Sequence, residues 1–200
     1  MLTAEENTSR LFSDNCLTSL NSRCIKCGLV GTNFTMAGNR ATRLFLIGVM
    51  LLTNFGCDQL SKRIVRKNVD DYEEIALVKG HLTLTKVENT GAFLSLGHAL
   101  PQELKTVLLA VIPLCALGVA IIYLLVNDRI TYLRAAGICF LVGGGLGNIL
   151  DRLFYGSVTD FLHLQYGRFQ TGIFNLADVS IVIGLLLIVV SSYSRKPQPA

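Results

Sequence analysis

The sequence predicts a membrane all-α fold of four transmembrane helices, with a small β element between the first and second spans. Three observations carry this. Hydrophobic residues make up 51% of the 200 and charged residues only 16%, against about 25% charged in an average soluble domain. The apolar residues are gathered into four runs with polar segments between them. One of those polar segments, HLTLTKVEN from His81 to Asn89, alternates with the period of a strand. The net charge of +4 is not gathered into an aromatic-interleaved basic patch, which argues against nucleic acid as a partner. Lipid headgroups account better for the basic residues.

In chain order, residues 1–40 are polar, rich in Ser, Thr and Asn, and lack any helical or alternating apolar period. They are expected to be a disordered or mis-assigned N-terminal extension, because a bacterial signal peptide would place its apolar core nearer the terminus. Met36, just before AGNRATRLFLIG, is a more usual start for a membrane protein. Cys24 and Cys27 form an isolated C-x-x-C, and His81, His98 and His163 are all distant in sequence. A zinc site wants a second pair or nearby histidines, so neither a metal nor another cofactor is expected. Cys57, Cys115 and Cys139 fall in apolar runs, where free cysteine behaves as a small hydrophobe.

The first apolar run, 44–57, covers only about 21 Å of a hydrocarbon core roughly 30 Å thick. It spans only if the helix continues through Asp58, Gln59 and Ser61, giving a first span of about 42–65. Asp58 is then expected near the membrane surface and paired with Lys62 four residues on, with Lys62 and Arg66 snorkelling outward. Asn54-Phe55-Gly56 fits poorly before a lipid-bearing cysteine, which disfavours reading Cys57 as a lipoprotein box.

Ile75 to Val78, Gly80 and the alternating segment make a hairpin or small sheet, and Asn89-Thr90-Gly91 is turn chemistry. The second span is about 104–126, with Pro113 inside it. The third, about 132–153, is rich in glycine, which lets a neighbouring helix approach closely. It places Asn148, Asp151 and Arg152 on one face. A loop is expected from Gly156 to Gly172. The fourth span, about 173–193, carries Asn175 and Asp178 on one face near its start, and 195–200 is a basic tail. Four spans put both termini on one side. Lys and Arg number nine on each side, so the positive-inside rule gives no orientation.

Asp151, Asp160, Asp178, Asn148, Asn175 and Arg152 thus lie in or against apolar segments. An Asp or Arg at a helix centre costs roughly 2.5–3.5 kcal/mol on insertion scales, and polar groups kept at such cost face an interior cavity and mark a functional site. Two carboxylates facing one another across a partly dry cavity share one proton. One then serves as base toward water and the other as acid toward a scissile carbonyl. Ser157 and Ser180 have no histidine at catalytic spacing and no HExxH is present, so the chemistry favoured is aspartyl hydrolysis. Asp151, beside Arg152, suits a structural role better, since an adjacent guanidinium holds a carboxylate ionised. A small transporter with an aspartate proton relay is the alternative class; it predicts repeats between the two halves, and none is seen. A GxGD motif is also absent, GGxxGNxxDR standing in its place.

The ordered set DQLSK (58–62), ENTGAF (88–93), GGGLGNILDR (143–152), VTDF (158–161) and FNLAD (174–178) resembles the lipoprotein signal peptidases, the type II signal peptidases of bacteria, over about residues 41–193. The resemblance implies an intramembrane aspartyl peptidase of the bacterial inner membrane that cuts just before the diacylglyceryl-modified cysteine of prolipoproteins. The catalytic pair carries over to Asp160 and Asp178. Asn89, Gly91, Asn148, Asp151, Arg152 and Asn175 match positions that line the substrate pocket or orient the pair. Asp58 and Lys62 match the motif closing the first helix. It also implies a four-helix peptidase domain (41–194) with an extracytoplasmic β-cradle between the first and second spans, and both termini, including the 195–200 tail, in the cytoplasm. Partners are then prolipoprotein substrates and membrane lipid; no feature specifies an oligomeric state. One motif departs from the family: a second alanine usually follows Gly91, and here Ala92 stands alone before Phe93.

Overall fold

The computed structural model describes residues 39–91 and 101–193. The expectations for the extension, the Cys24/Cys27 pair, the Ala92-Phe93 step and the basic tail lie outside them.

Helix α1 (Arg40–Asn68) has 29 residues, about 44 Å at 1.5 Å per residue. It begins where the Asn39 side chain accepts a hydrogen bond from the Ala41 amide at 3.0 Å, and it ends with Arg66 and Lys67 in its last turn, where cations offset the negative end of the helix dipole. The helix does continue past Cys57 through Asp58, Gln59 and Ser61. Lys62, however, does not snorkel outward: Asp58 and Lys62 are both fully buried. The pair turns inward because other helices supply partners there, as the site shows below.

The second span comprises α2 (Gln102–Thr106), a π-helical turn (Val107–Val111) and α3 (Ile112–Val126). Pro113 has no N–H to donate and its ring crowds the preceding turn, and the ladder widens immediately before it. Helix α4 (Tyr132–Tyr155) starts with the Thr131 hydroxyl accepting from the Arg134 amide at 3.3 Å. It stops at Gly156, whose φ of 74° is left-handed and favours glycine. Helix α5 is Leu176–Tyr193.

All four helical segments are long and apolar enough to cross a membrane. α4 is the central one: most of its apolar stretch is buried, whereas the other three turn most of theirs outward. It packs against α1, α3 and α5. A Cβ at Gly137 would stand 2.8 Å from the Gly184 carbonyl, and one at Gly184 would stand 2.6 Å from the Gly137 carbonyl. The backbones of α4 and α5 therefore touch, which is the small-residue packing expected of membrane helices. Phe45, Leu52, Val119, Ile122 and Leu186 face outward, as lipid-facing residues do.

Strands β1 (Ile75–Val78), β2 (Leu82–Asn89), β3 (Val158–Tyr166) and β4 (Phe169–Phe174) form one antiparallel sheet in the order β1-β2-β3-β4. Only half of it lies between the first and second spans. The stretch expected to be a loop up to Gly172 instead supplies β3 and β4, between the third and fourth. Val158 to Phe161 are buried on both strand faces, so the alternation that betrays a half-buried strand is missing. β4 is short and carries Gly172 inside it. Val65, Val69 and Phe161, with Leu84, Leu162 and Leu176 against them, form a small apolar cluster joining sheet and helices.

Candidate active site

The FNLAD segment makes the turn on which the site is built. Asn175 precedes α5, and its side-chain oxygen accepts from the Asp178 amide at 3.0 Å. The Asp178 carboxylate returns the bond, accepting from the Asn175 amide at 3.1 Å. This is a reciprocal capping box, with Asp178 in the acid position three residues into the helix. Asp178 is thereby held at the positive end of α5, where a carboxylate is favoured.

Asp160 reaches the same place from β3. The register sets Val87 opposite Asp160 and Asn89 opposite Val158, and the Asn89 side-chain amide donates to Asp160 Oδ2 at 3.0 Å. The Gly91 amide donates to Asn89 Oδ1 at 3.1 Å, fixing that side chain. Asn175 Nδ2 donates to Asp160 Oδ1 at 2.6 Å. Asn175 thus holds both aspartates, one through its amide side chain and the other through its backbone. Burial pushes the Asp160 carboxyl up to about 6, the Asp178 charge adding to the rise, against the hydrogen bonds from Asn89 and Asn175 and the Lys62 charge.

Asn148 of α4 joins this pair to a second cluster. Its Nδ2 donates to Asp178 Oδ1 at 2.9 Å, and its Oδ1 accepts from Lys62 Nζ at 2.9 Å and from Asn175 Nδ2 at 3.2 Å. Lys62 also lies 2.9 Å from both Asp58 Oδ2 and Asp151 Oδ2. One hydrogen bond and two carboxylate charges thus surround the ammonium, and a buried cation is tolerated only when it is paired in this way. Asp58 Oδ1 in turn accepts from the Ala177 amide at 2.9 Å, tying α1 to the first turn of α5. A Cβ on Gly147 would run into the Asp58 carboxylate, so that carboxylate fits against α4 only beside a glycine.

All the residues singled out from the sequence meet at this end of the bundle, but one pairing differs from expectation. Asp151 is held by Lys62 and by Arg66, 3.1 Å away, rather than by its neighbour Arg152. Successive helix residues point about 100° apart, and Arg152 instead turns to the cleft and donates to the Asn148 carbonyl at 3.3 Å. Arg66, expected to snorkel outward, instead turns to Asp151 and to a polar group behind β3 that the sequence motifs do not name. Arg66 Nε donates to the Thr159 hydroxyl at 2.6 Å, Thr159 donates to Glu88 at 2.7 Å, and the Arg66 guanidinium lies 3.9 Å over the Tyr155 ring. Gln59 bonds Asp58, Asp151 and the Gly147 carbonyl. Gln59 and Arg66 stand three residues before and four after Lys62 on α1, the spacing of one helix face, and that signal could have found their role.

A cleft of about 910 Å³ opens onto the aspartates. Asn89, Asn148, Arg152, Asp160 and Asp178 make its polar end, and apolar residues including Leu109, Pro113, Ile149 and Val182 make the rest. Among the described residues no group of three His, Cys, Asp or Glu side chains is placed to hold a metal ion.

Fold and site together define a multi-pass membrane protein with two carboxylates joined by hydrogen bonds at the head of an apolar cleft. A solved structure described as a bacterial membrane enzyme, at 23% identity, has the same fold, with a TM-score of 0.67 over 78% of this chain and 94% of its own. The signal peptidase (SPase) II family profile matches residues 49–194, and the chain belongs to that family of peptidases. The lipoprotein signal peptidase of Maridesulfovibrio salexigens is 32% identical over 157 residues, which are 77% of this chain and 99% of that protein. The one from Aquifex aeolicus is 35% identical over 144 residues, 72% of this chain and 83% of the relative.

Proposed function

We propose that this signal peptidase II is an intramembrane aspartyl endopeptidase whose catalytic pair is Asp160 and Asp178, and that it cleaves prolipoproteins just before their diacylglyceryl-modified cysteine. The observation that carries the assignment is the double hold of Asn175 on both carboxylates. The family membership and the names of the relatives support the substrate class.

In the proposed reaction Asp160 holds the shared proton, consistent with its raised value, and Asp178 is ionised. Asp178 takes a proton from a water as its oxygen attacks the scissile carbonyl carbon, while Asp160 gives its proton to the carbonyl oxygen. The tetrahedral diol collapses by breaking the C–N bond, with the proton on Asp178 passing to the leaving amine and one hydroxyl proton returning to Asp160. Asn89, Asn148 and Asn175 keep the carboxylates oriented throughout. Lys62, Asp58 and Asp151 form the rigid charged support behind them, and Arg152 faces the cleft as a cation for the substrate main chain. Gly91 sets the Asn89 amide.

The apolar body of the cleft suits a substrate presented from lipid. Following the family resemblance, we place the protein in the bacterial inner membrane with both termini cytoplasmic and the sheet, as the cradle, on the outer-leaflet side. Residues 41–194 make the peptidase domain in this reading, and no metal takes part.

The test compares a diacylated prolipoprotein peptide with its unmodified counterpart, each with and without a strong chelator. Each acyl methylene buried in a bilayer is worth about 0.8 kcal/mol, so the diacylated peptide is expected to be cut far faster, with no effect of chelator. Equal rates for the two peptides would remove the lipoprotein assignment. Activity lost to chelator and restored by zinc would replace the aspartyl mechanism.

A further inference from the structure

The wall of the cleft opposite the helices is β4, the edge strand of the sheet; Thr171, Gly172, Ile173 and Phe174 line the cleft beside Asp160 and Asp178. Its pairing with β3 is irregular at this point. His163 stands opposite Ile173 and Gln165 opposite Gln170, so two residues of β4, Thr171 and Gly172, face the single Leu164. That is the count of a β-bulge, in which the ladder is interrupted and the extra residue is left unpaired. The Leu164 backbone turns to a side chain instead: its amide donates to the Thr171 hydroxyl at 3.1 Å, and that hydroxyl donates to the Leu164 carbonyl at 3.4 Å.

Gly172 has no local reason to be glycine. Its backbone is not left-handed, and a Cβ built on it meets nothing within 4 Å. Glycine inside a strand weakens it and marks a place where another backbone comes close. Gly172 is itself one of the residues that line the cleft.

A peptide bond about to be hydrolysed must leave any helical ladder. Its freed N–H and C=O groups, inside a cleft away from water, then need partners. An edge strand can supply them to an extended segment by adding it to the sheet.

We infer that the bulge at Thr171–Gly172 is a main-chain docking subsite, on which the extended substrate segment around the scissile bond adds to β4 as a fifth strand. This rests on the peptidase reading and specifies how that substrate is held. Specificity at this wall is for backbone and for small bulk, not for a particular side chain.

The experiment scans a diacylated peptide with single N-methyl amides, one position at a time. Binding is read as Kd to the Asp178→Asn protein in phosphatidylcholine nanodiscs, so that turnover plays no part. Strand addition turns alternate amides toward β4, and affinity is expected to fall about tenfold at alternate positions and little at those between, as the loss of one shielded hydrogen bond requires. Gly172→Val is expected to weaken binding of the unmethylated peptide about tenfold or more, and Gly172→Ala less, with both unfolding near the parent temperature. The same effect at every N-methyl position, or none at any, overturns the proposal; so does undiminished binding by Gly172→Val. Cleavage of the unmethylated peptide by the unmutated protein tests the peptidase reading separately, since the binding pattern does not depend on it.

Discussion

Replacing Asp160 by Asn should abolish cleavage and yet make the protein more stable at neutral pH. The Asp160 carboxyl rises from an ordinary 3.8 to about 6 in the folded protein, chiefly through burial, and the residue is only 5% exposed. A raised carboxyl disfavours folding in its ionised form: the penalty is absent below the unfolded value, grows between 3.8 and about 6, and is complete above that. At 1.36 kcal/mol per pKa unit it amounts to roughly 3 kcal/mol at pH 8 and roughly 1 kcal/mol at pH 4.5. Asparagine removes the charge but sets its own NH₂ against one of the two amides, from Asn89 and Asn175, that now donate to the carboxylate. That mismatch costs about 1 kcal/mol. The variant should therefore be about 2 kcal/mol more stable than the parent at pH 8 and about equal to it at pH 4.5. Equilibrium unfolding in one detergent at the two pH values checks this, with cleavage measured on the same samples. A parent protein more stable than Asp160→Asn at pH 8, or a difference that does not change with pH, would refute the electrostatic reasoning.

Asp178→Asn should lower the cleavage rate by several orders of magnitude, because a pair sharing one proton fails when either member is lost; near-parental turnover in a correctly inserted variant would move the role to another carboxylate, Asp151 first. Lys62→Met should destabilise the protein by about 3–5 kcal/mol, since it strips the cation from two fully buried carboxylates, Asp58 and Asp151. Adding Asp58→Asn should recover part of that loss, and unfolding curves of the single and double variants make the comparison. Gly147→Ala pushes a methyl into the Asp58 carboxylate and should cost about 1–3 kcal/mol as overpacking does, read as a lower unfolding temperature.

The sequence by itself determined the four spans, the β1–β2 hairpin and the polar residues of the site. Each is written in local terms: runs of apolar residues, period-two alternation at Leu82–Asn89, and aspartates and asparagines retained where the bilayer penalises them. The three-residue spacing of Asn175 and Asp178 was also there to read, but Asn175 lies outside α5, so the two meet as a capping box and not as one face of a helix. What the sequence did not determine is how the polar residues divide among themselves. Arg152 is adjacent to Asp151 in sequence, yet Lys62, 89 positions away, takes that carboxylate together with Arg66. Pairing across helices depends on which faces α4 turns to α1 and α5, and that is fixed by close glycine contacts between backbones, not by neighbours along the chain. The second half of the sheet was hidden for a related reason. Val158 to Phe161 are buried on both sides, by the helices as well as by the strand's own partners, and that burial erases the alternation by which a strand is recognised. Asp160 reaches Asn175 only through this tertiary strand, so the carboxylates were legible in the sequence while their meeting was decided by the packing of α1, α4 and α5 around the sheet.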